Sequence, residues 1–437
     1  MRWYWITALL CCYGFFKEFR PIEPFLTPYL EERNFTNADI YSGMLPYWTY
    51  CNLILLIPTL FLTDCLRYKP IMILECMSYT ATWGLLIFIN SLTFLRLAMC
   101  FYGFAAAAEV AYYSYIYAAI DTEYYKKATS YVSAVITFGQ FFAYTISQLL
   151  ISTKWTDYRI LLYMSWGGSI LIYIPVIFLP WVSHNRPTSK VDTERLIEPD
   201  STTDQVEDIA TSNAVPVRSY KTYVIFYCSN VWTNFKATYG STLIWKWSLW
   251  WALATCGYYQ VEHYGQNLWA IMQTESGDTY NGVVEGASML LSTIAAASMQ
   301  FINVRWEVWG ELLLATASGV NCALLIIMSQ TTILGIAYAF YIICNAVYQL
   351  MFTISMYVIA KDLESDSYGF IFGFNNLMAL LLQAALTLTV ADDNGLALDI
   401  RTQFFVYGGY YGCIAVLFLT MGMCTLWKTF RQSSETS

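Results

Sequence analysis

Apolar stretches recur along the whole chain at lengths that suit a bilayer. At about 1.5 Å of rise per residue, a helix needs about 20 predominantly apolar residues to cross the hydrocarbon region. The pattern predicts about twelve transmembrane helices, six on either side of one long polar segment. The apolar windows lie near residues 3–29, 41–63, 70–90, 95–120, 129–151, 158–181, 244–265, 280–303, 308–328, 331–359, 368–391 and 402–426.

Between the two sets of windows, the chain turns polar. Residues 183–218 are charged and poor in aromatic residues, a composition typical of disorder, whereas residues 220–237 are more aromatic and predict an interfacial helix. This plan predicts an all-α membrane protein of the major facilitator type, whose two halves face one central cavity. We expect an N-terminal half over 1–182, a largely disordered cytoplasmic linker over 183–243, a C-terminal half over 244–427 and a cytoplasmic tail over 428–437.

The second part of the first window, residues 17–29, is unlike an ordinary membrane span. It carries three prolines and four charges, namely Lys17, Glu18, Arg20 and Glu23. Charges at membrane depth normally face a watered cavity, and prolines are tolerated where neighbouring helices satisfy the freed backbone groups. The stretch therefore predicts a broken helix at a transporter's substrate site. Arg20 and Glu23 are expected to pair and to hold it in one gating state. The alternative is that this stretch already lies among the lipid headgroups.

Composition narrows the class further. The chain is 57% hydrophobic and only 12% charged, whereas soluble domains carry about 25% charged residues. No nucleophile–His–acid set, phosphate-binding loop or metal-ligand spacing appears, so we expect no enzyme activity, cofactor, metal or nucleic-acid partner. The cysteines lie mostly in apolar runs and are interpreted as core residues. The two histidines, His184 and His263, fall near predicted loop edges, which makes a histidine proton relay improbable.

Basic residues near the helix ends are far more frequent on the side that carries the N-terminus. By the positive-inside rule, both termini are cytoplasmic. The sequon Asn34-Phe35-Thr36 then lies in the first external loop, where Asn34 is a candidate glycosylation site.

Two further groups of residues are candidates for function. Glu109 lies mid-span after an alanine run, and Tyr112 follows three positions later on the same helix face. A carboxylate at this depth is more often functional than structural. In the turn after the second window, Asp64 and Arg67 have the arrangement of a gating latch that the two halves make and break. The alternative for this turn is an ordinary charged cytoplasmic turn.

Several of these segments together resemble the reduced folate and thiamine carrier family. The resemblance covers nearly the whole membrane part. It is carried by residues 14–30, Pro46-Tyr47-Trp48-Thr49-Tyr50, Leu62-Thr63-Asp64 with Arg67-Tyr68-Lys69-Pro70, residues 109–117, Trp247-Ser248-Leu249-Trp250-Trp251-Ala252, Tyr280-Asn281-Gly282, Trp309-Gly310-Glu311-Leu312 and Ile371-Phe372-Gly373-Phe374-Asn375.

The resemblance implies a major facilitator fold and carrier-type uptake of a B vitamin across the plasma membrane. It implies that Glu109 bonds an aminopyrimidine and that Trp48 stacks on it. Leu45 departs from the thiamine-type pattern, which tends to have an aromatic residue there, so the ring is expected to be stacked on one side only. The substrate-binding residues that the resemblance implies are Glu23, Trp48, Glu109, Tyr112, Asn281 and Glu311.

The resemblance implies a basic substrate cavity for folate-type members of the family, and this chain departs from their pattern. They have an arginine in place of Glu109, a basic residue near Asn345 and a lysine near Gln383. Carboxylates also outnumber Lys17 and Arg20 in the spans, which favours a cation. We therefore expect a thiamine-like substrate, with reduced folate as the alternative. A non-transporting receptor or scaffold of the same fold is the second alternative.

Overall fold

Helices account for nearly all of the residues that the computed structural model describes. It describes residues 2–36, 39–40, 43–182, 233, 235–236, 238–273, 281–363, 367–392 and 395–435. The helices before the linker are α1 (Arg2–Glu18), α2 (Leu26–Glu32), α3 (Leu45–Cys65), α4 (Lys69–Phe88), α5 (Leu92–Ala119), α6 (Tyr125–Ser152), α7 (Tyr158–Leu171) and α8 (Tyr173–Phe178). Those after it are α9 (Thr242–Ala270), α10 (Asn281–Ser298), α11 (Trp306–Gln330), α12 (Leu334–Asp362), α13 (Tyr368–Val390) and α14 (Ile400–Glu435).

Each apolar window contains a helix, as the pattern predicts. Within the described ranges, ten helical segments are long and apolar enough to cross a membrane. Two others complete about twelve spans: α1, which has 17 residues before its break, and α9, which has 29 residues but carries polar side chains near its middle. The C-terminal helix runs on to Glu435, past the end predicted for the last window. The predicted interfacial helix and most of the linker lie outside the described residues.

The first span is broken where the prolines predict it. α1 ends at Glu18, and a single 3-10 turn over Glu23–Phe25 precedes α2. Proline lacks an N–H and clashes with the carbonyl four residues before it, so the helical ladder stops. The backbone N–H of Ile22, freed by the break, donates to the Ser165 hydroxyl of α7 at 3.2 Å. A neighbouring helix thus supplies a hydrogen-bond partner to the backbone of the broken segment.

Small residues let α1 approach its neighbours closely. A Cβ at Gly139 of α6 would lie 2.8 Å from the Phe15 carbonyl oxygen, and a Cβ at Gly168 of α7 would lie 2.9 Å from that of Phe19. Such contacts are too short for any side chain. Glycine on α6 and α7 therefore fixes the broken helix at the centre of the N-terminal half.

The two halves meet along α6 with α10 and along α3 with α13. Hydrogen bonds between them cluster at the end of the bundle where the chain begins, here called the terminal end. Ser130 donates to the Ala296 carbonyl at 2.8 Å, and Lys126 donates to the Ile302 carbonyl at 2.7 Å. The Tyr125 and Tyr368 hydroxyls lie 3.1 Å apart. The halves are thus joined at the terminal end.

Asp64 takes part in this closure in an unexpected way. Its carboxylate accepts hydrogen bonds from the backbone N–H groups of Gly369 (3.0 Å) and Phe370 (2.8 Å), at the start of α13 in the other half. The sequence predicts a latch that also involves a basic side chain. The structure joins Asp64 to the N-terminus of a helix, where free N–H groups and the helix dipole favour an anion, and Arg67 interacts electrostatically with the same carboxyl group.

Candidate functional site

Lys17 is the centre of the first charge group. Its side chain is fully buried, and its Nζ lies 2.7 Å from Glu109 Oε1, 3.4 Å from Glu75 Oε1 and 3.9 Å from Glu18 Oε1. The Tyr13 hydroxyl donates to the second oxygen of Glu75 at 2.6 Å. The network ties α1 to α4 and α5. A buried ammonium is tolerated because carboxylates surround it.

Arg20 forms the second group, in the break after α1. It pairs with Glu18 and donates to Glu23 Oε1 at 3.0 Å. Tyr102 of α5 contacts both Arg20 and Glu23, and Tyr144 of α6 donates to Glu23 at 3.1 Å. The predicted Arg20–Glu23 ion pair is present, and Glu18 shares the arginine.

We call Lys17, Arg20, Glu18, Glu23, Glu75 and Glu109 the N-half charge cluster. Its four carboxylates face two basic groups. Glu75 is fully buried, whereas Glu23 and Glu109 keep 28% and 29% of their side chains exposed. Those two acids are therefore the members of the cluster that a solute can reach.

An aromatic group lies beside this cluster. The Trp48 ring of α3 is 6.0 Å from the Tyr102 ring, and Tyr79 and Trp83 of α4 meet Tyr102 edge-on. On its other side, Trp48 lies 5.9 Å from the His263 ring of α9, in the C-terminal half. Aromatic surface and negative charge together suit a flat organic cation.

The C-terminal half contributes two further carboxylates. Glu285 of α10 accepts from the Tyr341 hydroxyl at 3.1 Å. Glu262 of α9 is exposed and interacts electrostatically with Glu285 and, across the halves, with Glu23. Among the described residues, neither carboxylate has an ion-pair partner. Glu262 therefore lies near both Glu285 and Glu23, and we call the region where these acids meet the space between the halves.

A family model described as reduced folate carrier matches residues 1–406. The chain belongs to the reduced folate carrier family. The match runs from the first helix into α14, so this family member carries the helices of both halves.

Its similar proteins include transporters named for two vitamins. Folate transporter 1 of Caenorhabditis elegans is 39% identical over 430 residues, covering 98% of this chain and 94% of that protein. Thiamine transporter 1 of Homo sapiens is 35% identical over 460 residues, covering 99% and 92%. Folate-like transporter 3 of Caenorhabditis elegans is 37% identical over 432 residues, covering 98% and 99%.

A solved structure supports the fold of this family member. The crystal structure of the human organic anion transporter MFSD10 (TETRAN) superposes with a TM-score of 0.60, covering 95% of this chain and 97% of that one, at 10% identity. At this identity the likeness concerns the fold alone. It agrees with the predicted all-α, two-halved major facilitator architecture.

The structure brings some of the predicted substrate residues of this carrier-family chain together. Glu23, Trp48 and Glu109 converge on the space between the halves. Tyr112 packs beneath Lys17, with Nζ 4.9 Å from its ring centre, but it is fully buried and donates its hydroxyl to the Leu10 carbonyl at 2.7 Å. Tyr112 therefore supports the cluster from behind.

Two other predicted residues lie apart from the cluster. Asn281 begins α10 and accepts from Gln273 at 2.8 Å and from Tyr338 at 3.2 Å. Glu311 is almost fully buried near the start of α11, where it pairs with Lys246 and accepts from Thr425 at 3.0 Å. Glu311 thus joins α9, α11 and α14 at the terminal end.

Sequence reasoning missed Glu262 and His263 as site residues. The window there ends near residue 265, which puts both at a loop edge, but α9 continues to Ala270. The helix is long enough to place them well inside it. The sequence did carry a signal for this. The helical segment that contains both residues is 29 residues long, but its polar side chains made the apolar window appear to end earlier.

Asn34, the candidate glycosylation site, lies in the turn after α2. It is exposed and has a φ of 67°, a conformation that asparagine adopts more readily than most residues. The Thr36 hydroxyl of the sequon donates to Asp39 at 2.6 Å. This bond and a second one from the Thr36 backbone hold the pKa of the Asp39 carboxyl below its ordinary value.

Proposed function

We propose that this protein is a secondary transporter that imports a B vitamin across the plasma membrane, with a thiamine-like cation as its preferred substrate. The observation that carries the proposal is the charge of the space between the halves. Glu23, Glu109, Glu262 and Glu285 face it, whereas Lys17 and Arg20 are each engaged by at least two carboxylates.

The electrostatic reason is simple. Two unit charges 4 Å apart interact by about 4 kcal/mol at an effective dielectric constant of about 20, and each 1.4 kcal/mol is about tenfold in affinity. An acidic space lined by Trp48 therefore attracts an aromatic cation and repels a dicarboxylate. In this proposal Glu109 and Glu23 bind the charged substrate, and Trp48 stacks on its ring.

Reduced folate is the second candidate. Folate transporter 1, at 39% identity over nearly the whole chain, is the observation in its favour. Against it stand the uncharged side chains of Asn345 and Gln383, since neither supplies positive charge to the space. A receptor or scaffold that binds the vitamin without moving it is the third candidate.

The proposed orientation places both termini in the cytoplasm and Asn34, glycosylated, outside. The terminal end is then the cytoplasmic gate, and the Asp64 bonds to α13 close it. With that gate closed, the space between the halves receives its substrate from outside. Arg20 and Glu23, in the break of the first span, are proposed to change partners when the gate opens.

Uptake competition tests this function. Cells that express the protein are given labelled thiamine or labelled reduced folate, with the other vitamin unlabelled as the competitor and vector-only cells as the control. We expect saturable thiamine accumulation that reduced folate does not displace. Strong folate accumulation without thiamine uptake would overturn the substrate preference. Binding of thiamine at the cell surface without saturable flux would favour the receptor.

A further inference from the structure

The Trp48–His263 contact crosses between the halves beside the charge cluster, as does the edge-on contact of Tyr113 with Phe352. Trp48 on α3 and His263 on α9 have ring centroids 5.9 Å apart, with ring planes inclined at 56°. Tyr113 lies beside Lys17, whose Nζ is 5.7 Å from its ring centre, and the Phe61–Phe370 contact lies next to the closed terminal end. The Trp48–His263 contact instead borders the acidic space.

His263 is held in place by its own half. Its Nδ1 lies 3.2 Å from the Gln383 amide nitrogen of α13, and Gln260 donates to the Gln383 carbonyl at 3.1 Å. The Tyr259 ring is 6.3 Å away, one turn earlier on α9. A side chain fixed in this way on a helix presents a defined aromatic surface although it is exposed.

Trp48 is likewise held in place by its own half, the N-terminal one. Tyr102 packs against it at 6.0 Å and contacts Glu23 through its hydroxyl. The Trp48 indole nitrogen is buried and has no hydrogen-bond partner. Two rings from opposite halves therefore meet at an inclined angle, and a carboxylate lies near each: Glu23 on Tyr102, which packs against Trp48, and Glu262 next to His263 in the chain.

The spacing of the two rings fits a slot that is closed without substrate. A flat ring between two others needs two van der Waals contacts of about 3.5–4 Å, or about 7–8 Å in all. The observed separation is shorter, so Trp48 and His263 touch each other. Because the two ring planes are inclined at 56°, admitting one ring requires a movement of about 1–2 Å between the halves together with a rotation of one side chain. Both changes are small for a transporter whose halves rock against each other.

We propose that His263 is the second aromatic wall of the substrate site. The flat ring of the vitamin lies between Trp48 of one half and His263 of the other, and Glu262 supplies negative charge on the C-terminal side. The assignment rests on the proposed function. It adds a substrate contact in the C-terminal half that determines selectivity for a flat, positively charged heteroaromatic ring. It also replaces the one-sided stack that Leu45 implies.

Saturation uptake by three variants tests the assignment. His263→Ala removes the wall, His263→Phe keeps a ring without the imidazole, and Asn267→Ala is a control on an exposed residue one turn further along α9. Stacking on an aromatic side chain is lost in the alanine variant, so we expect its KM to rise about tenfold. The KM of His263→Phe and of Asn267→Ala should stay within about twofold of wild type.

Rates are normalised to surface protein measured by biotinylation, which separates binding from folding. An unchanged KM in His263→Ala, with a lower surface yield or Vmax only, would mean that His263 is structural and would overturn the assignment. A His263→Phe variant as poor as His263→Ala would also overturn it, since the ring would then not be what matters.

Failure of the proposed function is a separate result. Wild type is first given labelled thiamine and labelled reduced folate. If it accumulates only reduced folate, the thiamine preference is wrong, and the same KM comparison is made with the flat ring of folate. If wild type accumulates thiamine and the KM of His263→Ala is unchanged, the transport function is supported, and the assignment of His263 as an aromatic wall is wrong.

Discussion

The two halves of the molecule treat their membrane-embedded charges differently. In the N-terminal half, Lys17 and Arg20 are buried and bound by the carboxylates of the N-half charge cluster. In the C-terminal half, Glu262 and Glu285 have no ion-pair partner among the described residues. The only ion pair described there, Lys246 with Glu311, lies at the terminal end.

From this difference we infer separate roles for the two halves in transport. A network of buried ion pairs is costly to break one partner at a time, so the N-terminal half is suited to holding discrete states. Unpaired carboxylates leave negative charge in the space between the halves, so the C-terminal half is suited to attracting a cation. In this interpretation the broken first helix helps to hold discrete states, and α9 helps to attract the cation.

The largest expected effect comes from the N-terminal half. Glu109→Gln removes the nearest of the three carboxylates around Lys17 and leaves Glu75 and Glu18; breaking a buried ion pair costs up to about 3–5 kcal/mol. We expect the initial rate of thiamine uptake per surface protein to fall by at least about tenfold. Glu123→Gln, at an exposed acid before α6, is the control. Normal flux with unchanged KM would mean that Glu109 only packs.

The next effect concerns the shared arginine. Arg20→Gln removes the arginine from both Glu18 and Glu23 and leaves Glu18 only the longer contact with Lys17, at 3.9 Å, whereas Glu23→Gln leaves the Arg20–Glu18 pair. We therefore expect uptake to fall further in Arg20→Gln, and the double variant to be less impaired than the sum of the two predicts. Groups in one network couple by about 0.5–3 kcal/mol. Simple additivity in flux and surface yield would show that Arg20 and Glu23 act independently.

A smaller effect is expected from the C-terminal half. Glu262→Gln removes one negative charge from the space without stranding a basic group. We expect the KM for thiamine to rise by about three- to tenfold at an unchanged Vmax and surface yield, because a partly solvated charge acts through a high dielectric constant. Asn267→Ala, at an exposed residue on the same helix, is the control without a charge change. If Glu262→Gln lost as much Vmax as Glu109→Gln, the proposed separate roles of the two halves would be wrong.

The smallest effect belongs to the gate. Asp64→Asn weakens the cap on α13, and helix caps contribute about 0.5–2 kcal/mol. The closed terminal end should become less stable, which lowers uptake by about two- to fivefold and raises the accessibility of a cysteine placed there. Thr63→Ser is a matched change one residue earlier. An unaltered labelling rate in Asp64→Asn would exclude a gating role for this contact.

The membrane plan could be predicted because it depends on local properties of the chain. The apolar windows, the break before Pro21 and the excess of acids all follow from residue type and spacing. The family resemblance then pointed to Glu23, Trp48 and Glu109, which the fold brings to one space. The Arg20–Glu23 pair was also predictable, since its members lie three positions apart in the break of the first span.

Tertiary packing decided everything that joins distant segments. Lys17 meets Glu109 across 92 positions, and Asp64 meets the start of α13 across 305. Glu311 carried a motif but lies at the terminal end, whereas Glu262 and His263 carried none and face the space between the halves. The reason is physical: hydropathy and helix breaking are set by neighbours along the chain, whereas the partner of a charge in a membrane is set by which helices pack together.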